Sequence, residues 1–217
     1  MIEEVSNYLN KIRSEFTSAE LNEDAVGDNP IEFYAQWLEE AVGSALLDPK
    51  AMVISTVDGD GKPSSRVVYN RGITEEGFKF YTNYDSRKGH ELAKNPHISV
   101  NVFWPEMERQ VRMEGVVSFL PEAESDEYFA DRPRESQIGA WASSQSNPVK
   151  DRAELESLVK YFTKKFEGLE VPRPKNWGGY FIKANYFEFW QGRPARLHDR
   201  IVLKLENGSW KKYRVAP

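Results

Sequence analysis

Residues 52–69 read MVISTVDGDGKPSSRVVY. Met52 to Val57 has the composition of a short strand, Asp58 to Gly61 (DGDG) is a strong hairpin turn, and Ser65 to Tyr69 (SRVVY) is the return strand. Outward from this hairpin the same pattern continues. Phe78 to Thr82 (FKFYT) alternates, and His97 to Phe103 (HISVNVF) and Arg109 to Phe119 (RQVRMEGVVSF) flank the turn WPEME. The links between these runs leave no room for parallel crossovers, so the spacing predicts an antiparallel meander of five strands. One helix interrupts it, SRKGHELAKN, capped by Ser86 and ended by Asn95-Pro96.

Upstream, Ile2, Val5, Leu9, Ile12 and Phe16 follow the three-to-four spacing of an amphipathic helix, and Glu20 to Asn29 is a polar, acidic link. Asn29 and Pro30 supply a cap and a first-turn proline for the next helix. Its stripe is Phe33, Trp37, Leu38, Ala41, Val42 and Leu46, and Asp48-Pro49 stops it. Downstream of Pro121 the period is helical in EAESDEYFADR, in ESQIGAWAS and in Lys150 to Phe166, where Leu155, Leu158, Val159 and Phe162 share one side. VPRPKNWGG is a proline- and glycine-rich link. Phe181 to Trp190, Arg196 to Leu205 and Trp210 to Val215 return to β, the last two joined by Asn207-Gly208. With no repeat and no long linker, residues 1–217 predict one α+β domain, an antiparallel barrel or strongly curled sheet with helices outside; residues 1–29 are its N-terminal helix and link.

Composition narrows the function. The chain of 217 residues is 40% hydrophobic and 13% aromatic, as a folded globular protein should be. It has no cysteine, which excludes disulfides, thiolate nucleophiles and cysteine-based metal sites. Its three histidines, His90, His97 and His198, lack paired-ligand spacing, so no metal is expected. No apolar run could span a bilayer and the first residues are unlike a secretion signal, which predicts a cytoplasmic protein with no membrane partner. The formal net charge of -5 argues against nucleic acid as a partner. Small basic clusters in an acidic chain instead suit small anionic ligands.

Four stretches carry such clusters. In FEFWQGRPARLHDR, Phe187 to Arg200, an alternating aromatic run leads into Arg196, His198 and Arg200, which would share one face of a strand. A solvated edge would also carry charge there, but Arg and His are planar donors suited to phosphates and rings. In RVVYNR, Arg66 and Val68 should face one way and Val67 and Tyr69 the other, with Arg71 at the strand end; a solvated strand end is the plainer alternative. Tyr81-Thr82 precedes Ser86-Arg87-Lys88, where a helix start with basic neighbours is either a phosphate site or simply a capped helix. Tyr128, Arg132, Arg134 and Ser136 gather phosphate-type donors around a proline turn, with Gln145 and Ser146 beyond, against a reading as a turn-rich surface loop. No nucleophilic triad is apparent, and donors without a protein acid or nucleophile are the pattern expected when a cofactor does the chemistry.

The motifs RVVYNR, FYTN..SRKGHEL, ERQVRMEG, YFADRPRESQIGAW, SSQS, WGGY and EFWQG..ARLHDR stand collinear in this chain. In that order they resemble the pyridoxine (pyridoxamine) 5′-phosphate oxidase family over residues 13–217. The resemblance implies a split β-barrel binding FMN at a homodimer interface. Matching positions for FMN are Arg66, Val67, Val68, Tyr81, Thr82, Arg87, Lys88, Gln110, Gln145, Ser146, Trp190 and Arg200. For the substrate they are Arg71, Tyr128, Arg132 and Ser136 at the phosphate, Arg196 and His198 at the pyridine ring in the catalytic role, and Arg13 and Phe16 in a lid-like N-terminal segment. The implied reaction oxidises pyridoxine 5′-phosphate or pyridoxamine 5′-phosphate to pyridoxal 5′-phosphate, with O2 as acceptor giving H2O2, and ammonia from the amine. Two positions depart from the family's habit: Arg71 stands where lysine is usual and Phe16 where tyrosine is common. The alternatives are a related split-barrel flavoprotein with another substrate, or a non-catalytic binder of flavin or pyridoxal phosphate.

Overall fold

The computed structural model describes residues 1–11, 15–17 and 20–217, apart from the side chains of residues 3, 10 and 11. Among these residues nine strands form one sheet in which every pairing is antiparallel. The hairpin is as read: β1 (Ala51–Val57) and β2 (Pro63–Tyr69) pair from Ala51↔Tyr69 to Val57↔Pro63. After β3 (Gly72–Thr74), β4 (Gly77–Asn83) and the fourth helix, α4 (Arg87–Lys94), come β5 (His97–Trp104) and β6 (Arg109–Phe119). The last strands are β7 (Trp177–Gln191), β8 (Asp199–Glu206) and β9 (Ser209–Arg214).

The order β2-β1-β5-β6-β7-β4-β3 corrects the five-strand meander. Helix α4 carries the chain away from β4, which pairs with β7 and β3 and not with β2 or β5. The 15-residue β7 is the spine of the sheet. One edge follows β6; the other follows β4 along the Trp177 half and β8 along the Tyr186 to Gln191 half. At about 3.3 Å per residue the strand separates its two ends by up to roughly 45 Å. Opposite Glu114 and Gly115 of β6 the register skips Asn185, a bulge in β7 that lets the pair bend, and Gly115 is needed there because a Cβ would lie 2.3 Å from the Lys183 carbonyl oxygen.

Alternation buries one face of most long strands, β2 being the exception. Met52, Ile54, Val100, Val111, Met113, Phe78, Phe80, Ile182, Phe187, Phe189, Ile201 and Leu203 all enter one core, so the open sheet curls around its own side chains. Helix α3 (Pro30–Gly43) closes the core, with Phe33 and Trp37 against Phe189 at ring centroid distances of 4.8 and 5.5 Å. Each such aromatic contributes about 2–3 kcal/mol by leaving water. As expected, the Asn29 side chain caps α3 and Pro30 opens it, but the helix ends at Gly43 and leaves Val42 exposed.

Helix α1 (Ile2–Lys11) forms, yet Ile2, Val5 and Leu9 are exposed, so its apolar stripe does not pack on the sheet. Ile12 and Arg13 lie outside the described residues. A short α2 (Glu23–Val26) ties the acidic link to β9: Arg214 pairs with Glu23 and Lys212 with Asp28. Downstream of β6, α5 (Glu122–Ala130), α6 (Arg134–Ala142) and α7 (Arg152–Lys165) pack a second apolar cluster of Phe129, Ile138, Phe166, Val171 and Trp177. The link expected at VPRPKNWGG gives way to strand at Trp177.

The largest departure from the expected elements is at Arg196 to Arg200. Pro194–Arg196 is a 3-10 turn in which Ala195 and Arg196 have φ of 54° and 61°, and β8 begins only at Asp199. Extended backbone needs negative φ, so the left-handed turn through Ala195 and Arg196 keeps the strand from starting where the alternation suggested. Arg196, His198 and Arg200 therefore do not share a strand face.

Candidate functional site

The expected site residues fall into two groups at opposite ends of β7. At the Trp177 end a cleft of about 360 Å³ is lined from β2 by Val67, Val68 and Tyr69, from the strand end by Arg71, and from β4 by Tyr81 and Thr82. Lys88 of α4, Tyr128 of α5, Arg132, Gln145 and Trp177 complete its wall. The register explains the assembly, since Tyr81 and Thr82 lie opposite Gly179 and Gly178 beside Trp177. Ser136, in the first turn of α6, is half-buried and is not part of this wall.

Two cations in the cleft, Lys88 and Arg132, are in none of the ion pairs among the described residues. Lys88 is buried, and its Nζ donates to Thr82 Oγ1 (3.0 Å), Ser86 Oγ (3.2 Å) and Gln145 Oε1 (2.9 Å), all neutral. Burial, then the nearby Arg66 guanidinium, push its pKa down to about 8 against an opposing pull from the Glu91 carboxylate. Arg132 lies with its guanidinium carbon 4.4 Å from the Trp177 ring centre, and its Nη1 is buried with no hydrogen-bond partner. Burial lowers its pKa, with Arg71 adding to the effect against an opposing contribution from Tyr128. A buried donor left open is costly unless a ligand meets it. Both cations therefore fit an anion, and the donor set suits phosphate.

Behind the cleft a buried carboxylate organises the other two basic residues. Glu91 of α4 accepts from Arg66 Nη2 (3.1 Å), Arg87 Nε (2.8 Å), Ser64 Oγ (2.9 Å) and the Thr56 hydroxyl. Desolvation would raise its pKa, but these bonds outweigh it and bring the carboxyl to about 2. Arg87 and Ser146 face an adjoining hollow beside Asp58 and His90. Ser86 caps α4 as expected, accepting from the Gly89 N–H. Arg134, by contrast, is structural: it donates to the carbonyls of Phe166 and Leu169 after α7.

The Trp190 end gathers the rest. Gln110 of β6 lies opposite Trp190, which lies opposite Arg200 of β8. The His198 ring is 4.7 Å from Trp190 and 5.1 Å from Phe16, which also meets Trp190 at 5.5 Å. Residues 15–17 are thus docked on this end, with the Thr17 N–H donating to Glu108. The Arg193 N–H donates to His198 Nδ1, which places the imidazole proton on Nε2. Burial and then the Arg196 charge lower the His198 pKa, favouring the neutral ring. Arg196 is exposed on its turn.

Here Arg112, Arg193 and Arg200 are already paired, and Arg196 is in none of the ion pairs among the described residues. Glu188, 3% exposed, joins Arg200 (2.8 Å) and Arg112 (3.0 Å), while Arg193 meets Asp199 and Glu20. Sequence reasoning missed Glu91, Glu188 and Trp177. The signal for Glu188 was a charge between two core phenylalanines; for Glu91 it was the i,i+4 spacing from Arg87. No described helix is long and apolar enough to cross a membrane, and no described group of three or more His, Asp or Glu residues could hold a metal ion.

An open antiparallel sheet curled on one core, with helices outside and an anion-accepting cleft at its edge, defines a split β-barrel. Comparison with known proteins agrees. Residues 38–165 match the pyridoxamine 5′-phosphate oxidase family, and residues 177–217 match the pyridoxine 5′-phosphate oxidase C-terminal dimerisation region. Pyridoxine/pyridoxamine 5′-phosphate oxidases from Leptospira interrogans and Rubrobacter xylanophilus are 49% and 48% identical, over 96% and 95% of this chain and 98% and 95% of theirs. The solved structure of PhzG from Burkholderia lata 383, in complex with tetrahydrophenazine-1-carboxylic acid, is similar with TM-score 0.86 and 29% identity, over 92% of this chain and 99% of that one. An FMN-binding, pyridoxamine 5′-phosphate oxidase-related protein from Nostoc punctiforme shares the fold, with TM-score 0.69 at 14% identity over 92% of this chain and 100% of that one. The chain belongs to the pyridoxine/pyridoxamine 5′-phosphate oxidase family.

Proposed function

We propose that this chain is an FMN-dependent oxidase that converts pyridoxine 5′-phosphate or pyridoxamine 5′-phosphate to pyridoxal 5′-phosphate, with O2 as acceptor and H2O2, plus ammonia from the amine, as by-products. The observation that carries the reading is the pair of cations, Lys88 and Arg132, that share one cleft with no ion-pair partner among the described residues. Two phosphomonoesters, one from cofactor and one from substrate, are ligands of the right charge and number. Lys88, with Thr82, Gln145 and the Glu91-held Arg66 and Arg87, would hold the FMN phosphate. Arg132, Arg71 and Tyr128, with Ser136, would hold the substrate phosphate. Bound FMN supplies the two-electron acceptor that no side chain of the chain can provide.

We further propose a homodimer. The Trp190 end, with Gln110, Arg196, His198 and Arg200, is too far along β7 to reach the Trp177 cleft of its own chain, so a second copy would bring its Trp190 end to that cleft. The match to a dimerisation region over residues 177–217 supports this. In the assembled site Arg196 and neutral His198 orient the pyridine ring, and orientation by fixed donors is worth several kcal/mol in such reactions. Phe16, packed on His198 and Trp190, excludes water as part of a lid with Arg13. We take residues 1–217 as one functional domain, supported by a core that joins α3 to β1 through β8, in a cytoplasmic enzyme.

The likeness to PhzG favours a second reading, in which the same cleft serves a different ring-bearing acid. An anaerobic titration of FMN-loaded protein with pyridoxine 5′-phosphate decides between them. Bleaching of the flavin absorbance that returns in air, with pyridoxal 5′-phosphate formed, is the expected result; a flavin that binds but never bleaches overturns the oxidase reading.

A further inference from the structure

Trp177 is absent from the expected site residues, yet the aromatic wall of the cleft is built on it. Its indole is 7% exposed and nearly parallel to Tyr81 (11°, centroids 5.8 Å apart) and Tyr128 (7°, 6.2 Å). Those two rings stack on each other at 3.7 Å and 4°. Its backbone is pinned on both sides: the Trp177 N–H donates to the Pro174 carbonyl (3.0 Å) and its own carbonyl accepts from Arg173 Nη1 (2.7 Å). Two residues on, Gly179 leaves room for the stack, since a Cβ there would come within 2.8 Å of the Tyr81 ring. Strand register, bare backbone and ring planes are therefore mutually fixed.

The consequence falls on Arg132. Its guanidinium lies over Trp177, with Phe129 at 5.5 Å as a second ring, and none of the ion pairs among the described residues includes it. A carboxylate partner would orient an arginine only by neutralising it and occupying its donors. A ring face orients the planar cation and leaves its in-plane N–H groups free. Tryptophan offers the widest and most electron-rich face for that purpose.

We propose that Trp177 is a positioning residue for the anionic end of the substrate: it holds Arg132 and Tyr128 as an oriented pair of donors, ready for a phosphate. This rests on the reading of the cleft as the site for a phosphorylated B6 vitamer. A role confined to packing would lower stability and leave the split between KM and kcat untouched.

The test uses the FMN-loaded enzyme with pyridoxine 5′-phosphate and compares wild type, Trp177→Leu, Trp177→Phe, Arg132→Gln and the double variant Trp177→Leu/Arg132→Gln. Trp177→Leu should raise KM about tenfold with kcat within about twofold, Trp177→Phe should recover part of the loss, and FMN affinity by fluorescence quenching should stay within about twofold. In the Arg132→Gln background Trp177→Leu should add less than about twofold, because its effect runs through that arginine. Full additivity in the double variant, or a fall in kcat with KM unchanged, overturns the proposal. If Trp177→Leu does not fold by circular dichroism, Trp177→Phe and its Arg132→Gln combination carry the same test. A wild-type enzyme that binds FMN but neither binds nor oxidises pyridoxine 5′-phosphate overturns the site reading and this inference together. A wild type that turns over beside an unaltered Trp177→Phe and Trp177→Leu overturns the inference alone.

Discussion

The two ends of β7 treat positive charge in opposite ways. At the Trp177 end, Arg132 is oriented by rings and Lys88 by three neutral oxygens. At the Trp190 end, Arg200 and Arg112 share the buried Glu188, and Arg193 meets Asp199. A cation held by rings and hydroxyls keeps its charge for a ligand, whereas one paired with a carboxylate has spent most of it on the fold. The first end fits an anion; at the second most of the positive charge is neutralised, leaving rings, a neutral imidazole and the exposed Arg196. Glu91, behind the cleft, pairs directly with Arg66 and Arg87 and reaches Lys88 only as a weaker opposing charge.

The contrast can be broken most directly at Glu188. Glu188→Ala leaves two arginines facing each other without their shared carboxylate and should cost about 2–3 kcal/mol of stability, read as a fall in Tm. An unchanged Tm would mean that the Trp190 end is not held by charge.

A pH series sharpens the other side. If Lys88 meets the FMN phosphate as proposed, its ammonium must be charged to do so, and FMN affinity should fall about tenfold per unit as pH rises above 8, while riboflavin, lacking the phosphate, shows no such slope. The stability effect has the opposite sign. Between pH 8 and about 10.5 the unfolded chain holds the Lys88 proton more tightly than the folded one, so this group makes the flavin-free protein more stable as pH rises. Fluorescence titrations of both flavins, with melting curves alongside, check the two slopes; parallel slopes for FMN and riboflavin would remove Lys88 from the phosphate site.

Smaller effects are expected at two positions. Ala195 sits at φ 54° and ψ 20°, where a Cβ is strained, so Ala195→Gly should gain about 0.5 kcal/mol in denaturant unfolding after the entropic cost of glycine. Arg71 is exposed at the cleft rim and lies over the Tyr69 ring at 5.1 Å. Arg71→Lys keeps the charge, and kcat/KM should stay within about threefold; a loss beyond tenfold would show that the guanidinium fork itself is used.

Much of the fold was legible because strand alternation is a local signal. The hairpin at Asp58 to Gly61, the Ser86 and Asn29 caps and the Asn207-Gly208 turn, with φ of 52° and 78°, all fell where residue chemistry placed them. What local periodicity cannot carry is partner choice. Nothing within FKFYT says that it pairs with a strand some hundred residues later, and so the meander was misordered. The basic candidates at Arg71, Lys88 and Arg132 were legible by type, but their convergence depends on that same long-range pairing. Glu188 and Trp177 escaped because a charge in a strand and a tryptophan after a proline-rich link have ordinary explanations until their neighbours are known. At Arg196 to His198 the alternation misled, since the chain makes a left-handed turn through Ala195 and Arg196 before the strand begins.

The length of β7 has a genetic consequence. If each complete centre draws its Trp177 end from one chain and its Trp190 end from the partner, one lesion at either end silences both centres of a pure dimer. Mixing subunits with an Arg132 lesion and subunits with a His198 lesion then restores one sound centre in every hybrid. Random re-pairing from an equal mixture should return about a quarter of the wild-type activity from two inactive preparations. Recovery after the two are unfolded and refolded together, and none when they are simply combined, would count the centres and assign their halves without a ligand in view.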